Sequence, residues 1–530
     1  MNTYTICFLV IIAFNAIKTR KGIQILQQNL YNEKNKYLKW ISNNPKKVFL
    51  TLEILPIITL IIAYIINSKL EKILVIISTI FYLLEATRLL NNHKIDKVKI
   101  VPTKRVKRLV LTLTVLLILP IIIYLNDRDA GLIMLIVESI VTYFNYFILL
   151  IAKIINIPVE MASYKLRKTE AIEKMKTLNK LNVIGITGSY GKTSSKIILE
   201  DVLNAKYITK STPKNLNTEK GLIVTVNKYL DDHDEVFISE MGSYKSGEVD
   251  KLCKIAKPKY GVLTSIDAIN INSFSNQEEI VKSQFELIES LPNDGVAVLN
   301  RDDIKQINYA LKNNCKIIWI GIDNKEADIN ATNIKYSDKG TKFNVHFKKI
   351  DKSYDFETIL IGKYNIYNIL TGIALGLEFG MQIKELQHSI KTIKAIKGKM
   401  ELNNLDYMYQ INDMFNTSPI AVKEALDVLE SMPGEKIVVT SGIENTNIKE
   451  KDFNHTFGNQ IAKVADKVIL IGTNSRKVFD GIMETGYDKD KLYVVNSIID
   501  AYNLLKNMKS NKKIYALFEQ DNKETYLEED

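Results

Sequence analysis

Ten consecutive residues, Gly185-Ile-Thr-Gly-Ser-Tyr-Gly-Lys-Thr-Ser194, carry the strongest chemical signal in the chain. They lie between a β-branched run, Asn182–Thr187, and a helical stretch. A strand, a glycine-rich turn and a helix N-terminus make an anion site from backbone N–H groups and the helix dipole. Gly188, Ser189 and Gly191 would shape the turn, Lys192 would reach the β- and γ-phosphates, and the Thr193 hydroxyl, followed by Ser194, would ligate Mg²⁺. The ordinary spacing of such a loop puts glycine at position 186, where this chain has isoleucine, so the loop is a variant whose bland alternative is a plain glycine turn. Glu240 ends a second β-branched run, Glu235–Glu240. Ligands of open α/β sheets collect at that edge, so Glu240 is a candidate metal carboxylate, against the alternative of an ordinary surface glutamate.

These groups need a scaffold, and the pattern after residue 180 supplies one. Short β-branched runs alternate with helical segments at Asn182–Thr187, Glu235–Glu240, Gly261–Thr264, Val296–Asn300 and Lys316–Ile320. A second series follows at Met408–Asn412, Lys436–Thr440, Lys467–Ile471, Leu492–Val495 and Lys513–Leu517. Alternation of this kind indicates two α/β domains with largely parallel sheets, 171–397 and 398–530.

The first 170 residues differ in kind. They hold 23 Lys and Arg against 10 Asp and Glu, while the remaining 360 residues hold 48 against 50, so the net charge of +11 belongs to the N-terminal third. Its lysines alternate with long apolar runs, which argues against a nucleic-acid surface. Runs at 4–17, 48–67, 73–90, 109–125 and 131–152 read as about five transmembrane helices in a membrane region, 1–170. Lys and Arg concentrate in the alternate connecting segments 18–47, 91–108 and 153–168. The positive-inside rule then makes the chain a multi-pass cell-membrane protein with everything after about Lys153 in the bacterial cytoplasm, in contact with membrane lipids. Glu53, Glu85, Arg88 and Glu138 fall within the runs. They are either a polar site for a head group or an ion, or charges that snorkel and pair; Glu138 is the deepest. Three scattered cysteines and five histidines give neither a disulfide framework nor a zinc spacing.

The phosphate loop and the motifs after it resemble the Mur ligase family, in the branch that adds D-alanyl-D-alanine. Thr212-Pro-Lys-Asn215-Leu-Asn217 is similar to that branch's Asn-x-Asn segment, and Glu240-Met-Gly242 to its Mg²⁺-binding glutamate. Leu299-Asn300-Arg-Asp302-Asp303 and Gly362-Lys-Tyr-Asn365-Ile-Tyr-Asn368 resemble its adenine-side motifs. Lys397-Gly398-Lys399 and Asp413 with Phe415-Asn416-Thr-Ser-Pro419 resemble its domain junction and C-terminal elements. The resemblance implies a P-loop central domain, a Rossmann-like C-terminal domain, ATP and Mg²⁺. It implies an amide ligase of peptidoglycan precursor synthesis working through an acyl phosphate. Its partners would be a muramoyl-peptide acceptor, UDP- or lipid-linked, and an amino acid or D-alanyl-D-alanine. On this reading Lys192, Glu240 and Lys399 serve catalysis, and Thr193, Glu240 and Asn270 hold metal. Asn300, Asn365, Asn368 and Asp413 serve the nucleotide, whereas Thr212, Asn215, Asn217 and Asn416 face the acceptor.

The chain also departs from the family pattern. Asn270 stands at the family's metal-binding histidine, Gln284 at the lysine that many members carbamoylate, Tyr364 at its histidine and Lys399 at its junction arginine. Glutamine forms no carbamate, and lysine lacks arginine's bidentate grip on phosphate. Phe518-Glu519-Gln520-Asp521 replaces a Lys-Gly-Ser-Arg type segment. Membrane helices stand where the adding enzyme carries a UDP-sugar domain, so the acceptor is either presented at the membrane or merely processed near it. A nucleotide-binding scaffold without turnover is the reading from another class.

Overall fold

The computed structural model describes residues 3–28, 37–49, 51–66, 70–91, 100–126, 131–266, 274, 276–414, 419–443, 450–472 and 475–519. The chain divides into two compact units, one from Met1 to Leu166 and one beginning at Arg167.

The first unit is helical: α1 (Thr3–Gln28), α2 (Leu38–Asn43), α3 (Pro45–Val48), α4 (Ile54–Ile66), α5 (Leu70–Asn91), α6 (Lys104–Asn126), α7 (Gly131–Tyr143) and α8 (Asn145–Thr177). Two of its helices, Leu70–Leu90 and Asn145–Thr177, are long and apolar enough to cross a membrane, and α4 and α7 are shorter apolar helices. The expected span at 131–152 is therefore two helices. The chain breaks at Phe144, where the Lys18 ammonium takes the carbonyls of Thr142 and Tyr143 at 3.1 and 3.0 Å. The run at 48–67 also gives a shorter helix than expected, because regular α-structure starts only at Ile54.

The second unit contains two sheets. The larger has the order β2-β3-β1-β4-β5-β6-β7-β8-β9. Its strands are β1 (Asn182–Thr187), β2 (Thr209–Ser211), β3 (Val236–Glu240), β4 (Tyr260–Leu263), β5 (Val296–Asn300), β6 (Lys316–Gly321), β7 (Ile329–Ser337), β8 (Gly340–Phe347) and β9 (Lys352–Thr358). Pairing is parallel from β2 through β7 and antiparallel across β7-β8-β9. The parallel strands are buried because helices cover the faces, including α9 (Lys192–Leu203) and the helix Lys363–Glu378, whose Ile366, Ile369, Leu370 and Ile373 share a core with Ile198 and Val202.

The second sheet has the order β10-β11-β15-β12-β13-β14, with β10 (Glu401–Leu405), β11 (Met408–Asp413), β12 (Glu435–Thr440), β13 (Lys467–Ile471), β14 (Leu492–Val495) and β15 (Ile514–Glu519). It is parallel except for β10 against β11. The chain passes from the first sheet to the second between the helix ending at Lys391 and β10.

Candidate active site

β1 sits between β3 and β4 in the large sheet while the chain leaves it for β2 beyond β3, so a crevice opens at the C-terminal end of β1. The glycine-rich loop fills that position. Gly188 has φ +142°, and a Cβ there would lie 2.1 Å from Thr264 Oγ1, so only glycine fits. Gly191 at φ +81° turns the chain into α9. The loop is held from outside: Ser189 N donates to Ser265 O at 2.7 Å, Tyr190 N to Ser265 Oγ at 3.2 Å, and Thr264 Oγ1 to Tyr190 O at 2.5 Å. Lys192 Nζ donates to the loop carbonyls of Gly188 and Ser189 at 2.7 and 3.1 Å, poised over the cradle. Burial holds its pKa below the ordinary lysine value; Glu240 opposes that shift and Lys399 reinforces it.

Glu240 ends β3 almost fully buried. Its Oε1 accepts from Thr193 Oγ1 at 3.1 Å and Asn217 Nδ2 at 3.0 Å, and its Oε2 lies 3.0 Å from Lys196 Nζ. Lys196 also donates to Thr212 O at 2.8 Å and to Lys214 O. The Thr212 hydroxyl accepts from Glu240 N at 3.1 Å and is fully buried, so Thr212 positions the glutamate from behind. The Thr193 hydroxyl and the Glu240 carboxylate are the hard oxygen donors that Mg²⁺ takes beside nucleotide phosphates, so the residues present fit that ion. Among the described residues no group of three or more His, Cys, Asp or Glu side chains gathers as a metal site. Asn270 and Asn416 lie outside the described residues.

The phosphate loop opens onto a cavity of about 340 Å³ that runs from Ser189–Ser194 past Asn215, Asn217 and Glu240 to Gly362, Asn365, Asn368, Lys399 and Glu424. Asn368 accepts from Ser195 Oγ of α9 while its buried Nδ2 has no partner. Asn365 donates to Ile361 O at 2.8 Å, the first turn of its helix. Lys399 lines the cavity, and its neighbour Met400 has φ +49°, an uncommon backbone for a residue with a Cβ. Asp413 Oδ1 accepts from Met400 N at 3.2 Å and is fully buried. Asp413 thus fixes the junction that carries Lys399 and does not line the cavity.

Asn300 is not brought to the cavity either. Its Oδ1 accepts from Asp302 N at 2.9 Å, closing its own turn. The neighbouring aspartates tie this turn to its surroundings: Asp302 accepts from Tyr367 OH at 2.7 Å and Ile322 N at 2.6 Å, and Asp303 from Ile266 N at 2.9 Å. Gln284 is buried and accepts from Thr187 Oγ1 at 2.8 Å, locked to the end of β1.

Sequence reasoning missed Lys196 and Glu424, and met Glu519 only as part of a segment that departs from the family pattern. Lys196 looked like one more helix lysine, although its spacing of four from Lys192 puts both on one face of α9. Glu424 lines the cavity from the helix Pro419–Ser431. Burial pushes its carboxyl up to about 8, with Asp427 and Asp413 adding to the shift and Lys363 and the Tyr364 N–H opposing it. Glu519 ends β15 beside Asp413, fully buried with both oxygens unpartnered; burial and then Asp413 raise its carboxyl well above the ordinary range.

Residues 186–376 match the family model of the Mur ligase middle domain. Over 334 residues the chain is 28% identical to the UDP-N-acetylmuramoyl-tripeptide–D-alanyl-D-alanine ligase of Bacillus subtilis, covering 62% of this chain and 70% of the relative. The Escherichia coli ligase of the same name is 26% identical over 316 residues, 58% and 69% of the two chains. The fold is shared with the MurF ligase from Thermotoga maritima solved in complex with ADP, with a TM-score of 0.58 at 22% identity over 67% of this chain and 80% of that one. The chain is accordingly an ATP-dependent ligase whose residues 186–376 are similar to the Mur ligase middle domain. Its nucleotide is ATP and its metal Mg²⁺.

Proposed function

We propose that this protein joins an amine to the carboxylate of a muramoyl peptide, with D-alanyl-D-alanine or an amino acid as the amine, in peptidoglycan precursor synthesis. The observation that carries the reading is the constellation of Lys192, Thr193 and Glu240 at one sheet edge, open to a cavity whose far wall holds Lys399. The names of the relatives supply the substrate class.

In this scheme a carboxylate oxygen of the acceptor attacks the γ-phosphorus of ATP, the bond to the bridging oxygen breaks and ADP leaves. The amine nitrogen then attacks the acyl carbon, phosphate departs with the C–O electron pair, and the amine gives up a proton. Such a transfer asks the protein for alignment and charge neutralisation. Lys192 and Lys399 supply positive charge, the loop N–H groups orient the phosphates, and Asn215 and Asn217 line the side from which an acceptor would enter. Bound Mg²⁺ would add Lewis-acid stabilisation of phosphate oxygens, with Thr193 and Glu240 as its protein ligands.

We also assign the helical unit to the cell membrane, with the ligase unit in the cytoplasm. Outward-facing apolar residues such as Ile65, Leu84, Leu111 and Ile154, each more than half exposed, support this, because a water-facing surface rarely carries so many. The deciding measurement is phosphate release from ATP by the full-length protein in detergent. UDP-muramoyl-tripeptide is compared with its lipid-linked counterpart, each with D-alanyl-D-alanine or single amino acids. Turnover is expected with one acceptor class. ATP binding without turnover on any of them would leave a nucleotide-binding scaffold.

A further inference from the structure

The helical unit has two apolar clusters that meet α1 at opposite ends: Cys7, Phe8, Ile11 and Phe14 belong to one, Ile23, Ile25 and Leu26 to the other. A polar belt separates them. From α1 it contains Asn15, Lys18 and Thr19; from the α7–α8 break it contains Glu138, Thr142 and Asn145, before apolar packing resumes at Tyr146 and Leu149.

The belt does not balance. Lys18 has three donors and spends all three, on Glu53 Oε2 at 2.6 Å and the carbonyls of Thr142 and Tyr143. Glu85 has Arg88 at 3.3 Å. Glu138, 1% exposed, has no cation: Oε1 accepts one amide hydrogen from Asn15 at 3.3 Å, and Oε2 accepts nothing. Thr142 Oγ1, one helical turn along on the same face, is also without a partner, as is Asn145 Oδ1. Each of these residues is 1% exposed. Asn145 brackets the same Asn15 amide as Glu138, donating to Asn15 Oδ1 at 2.5 Å. Tyr82 on α5 is hydrogen-bonded to Ser139 of α7 and stands in the field of Glu53, Cys7 and Glu138.

An uncompensated carboxylate, with an unpartnered hydroxyl one turn along its helix and an unpartnered amide oxygen just past the break, would be costly in a bundle interior. A partner that neutralises one carboxylate is positive and singly charged. We propose that Glu138, with Thr142 and Asn145 as oxygen ligands, binds a desolvated monovalent cation, either a proton or an alkali-metal ion. Broken helices flanking buried oxygens are a recurrent way to hold such cations in membrane bundles. The site stands independently of the ligase reading.

The test uses the full-length protein in detergent and reads bound radioactive sodium together with the unfolding temperature. Sodium chloride is compared with N-methyl-D-glucamine chloride from about pH 5.5 to about pH 9, a window that spans carboxyl titration in buried sites. A sodium site raises the unfolding temperature at the alkaline end by about 3 °C or more. The rise shrinks as protons compete, and Glu138→Gln removes both the rise and the bound sodium. A proton site shows no sodium effect; the wild type loses stability as pH rises and Glu138→Gln does not. Identical responses of wild type and Glu138→Gln to both sodium and pH overturn the proposal. If that variant fails to fold, Thr142→Val takes its place, and an unchanged sodium and pH response there overturns it equally. Glu173→Gln, on the exposed part of α8, is the control expected to change neither.

Discussion

Two buried lysines, one in each unit, are built to the same plan. Lys196 donates to two backbone carbonyls and pairs with Glu240; Lys18 donates to two backbone carbonyls and pairs with Glu53. Their surroundings differ. Around Lys196, the second oxygen of Glu240 is taken by Thr193 and Asn217, and the backbone of Glu240 by Thr212. Around Lys18, the second oxygen of Glu53 is bare, and so are oxygens of Glu85 and Glu138. Polar groups that already hold one another pre-organise a site for a ligand whose shape is fixed in advance, as phosphoryl transfer demands. Polar groups left open in a dry interior mark a partner still to be supplied.

The largest effect should come from the cradle itself. Lys192→Ala is expected to lower phosphate release by at least about a hundredfold without unfolding the protein; undiminished turnover would break the ligase side of the comparison. Next come the two lysine pairs. Lys196→Met strands the Glu240 charge and should cost about 3–5 kcal/mol in denaturant unfolding. Adding Glu240→Gln should recover part of that loss, because the stranded charge is gone. Lys18→Met should cost a similar amount, about 3–5 kcal/mol, yet leave the Mg²⁺ requirement of turnover unchanged. A change in metal requirement for Lys18→Met would erase the distinction between the two pairs.

The ten residues of the phosphate loop were legible because strand, turn and helix are contiguous, so local pattern alone places Lys192 and Thr193. Strands β1, β13 and β14 were legible for the same reason. The β7-β8-β9 meander was not: its runs mix lysine, asparagine and aspartate with the apolar positions, so the alternation that marks strands is diluted. Lys196 and Glu424 were missed because each is defined by what reaches it from elsewhere in the chain. Asn300 and Asp413 were placed by motif in the nucleotide site. Both brace backbone turns in the structure, since an Asn or Asp side chain bonds to a nearby N–H as readily as to a ligand. In the N-terminal third hydropathy located the helices, but the break at Phe144 depends on a lysine more than a hundred residues away.

Glu240→Ala sharpens the comparison at the metal. It should raise the Mg²⁺ concentration needed for half-maximal turnover by about tenfold or more, the scale seen when a ligand or its support is lost; an unchanged requirement would remove Glu240 from the ligand set.

The smallest effect belongs to Glu424, whose buried Oε2 is without a hydrogen-bond partner on the cavity wall. Its pKa of about 8 in the folded protein stands above the ordinary 4.5. The folded state therefore keeps a proton that the unfolded chain releases. The stability this contributes is full below about pH 4.5 and is lost as pH rises toward 8. Glutamine cannot ionise, so Glu424→Gln should match the wild type near pH 5 and exceed it near pH 8.5, with unfolding temperatures about 2–4 °C apart. A constant difference across that range would mean that Glu424 is ionised throughout, with Lys363 outweighing burial, and that the cavity wall is as fully paired as the cradle opposite.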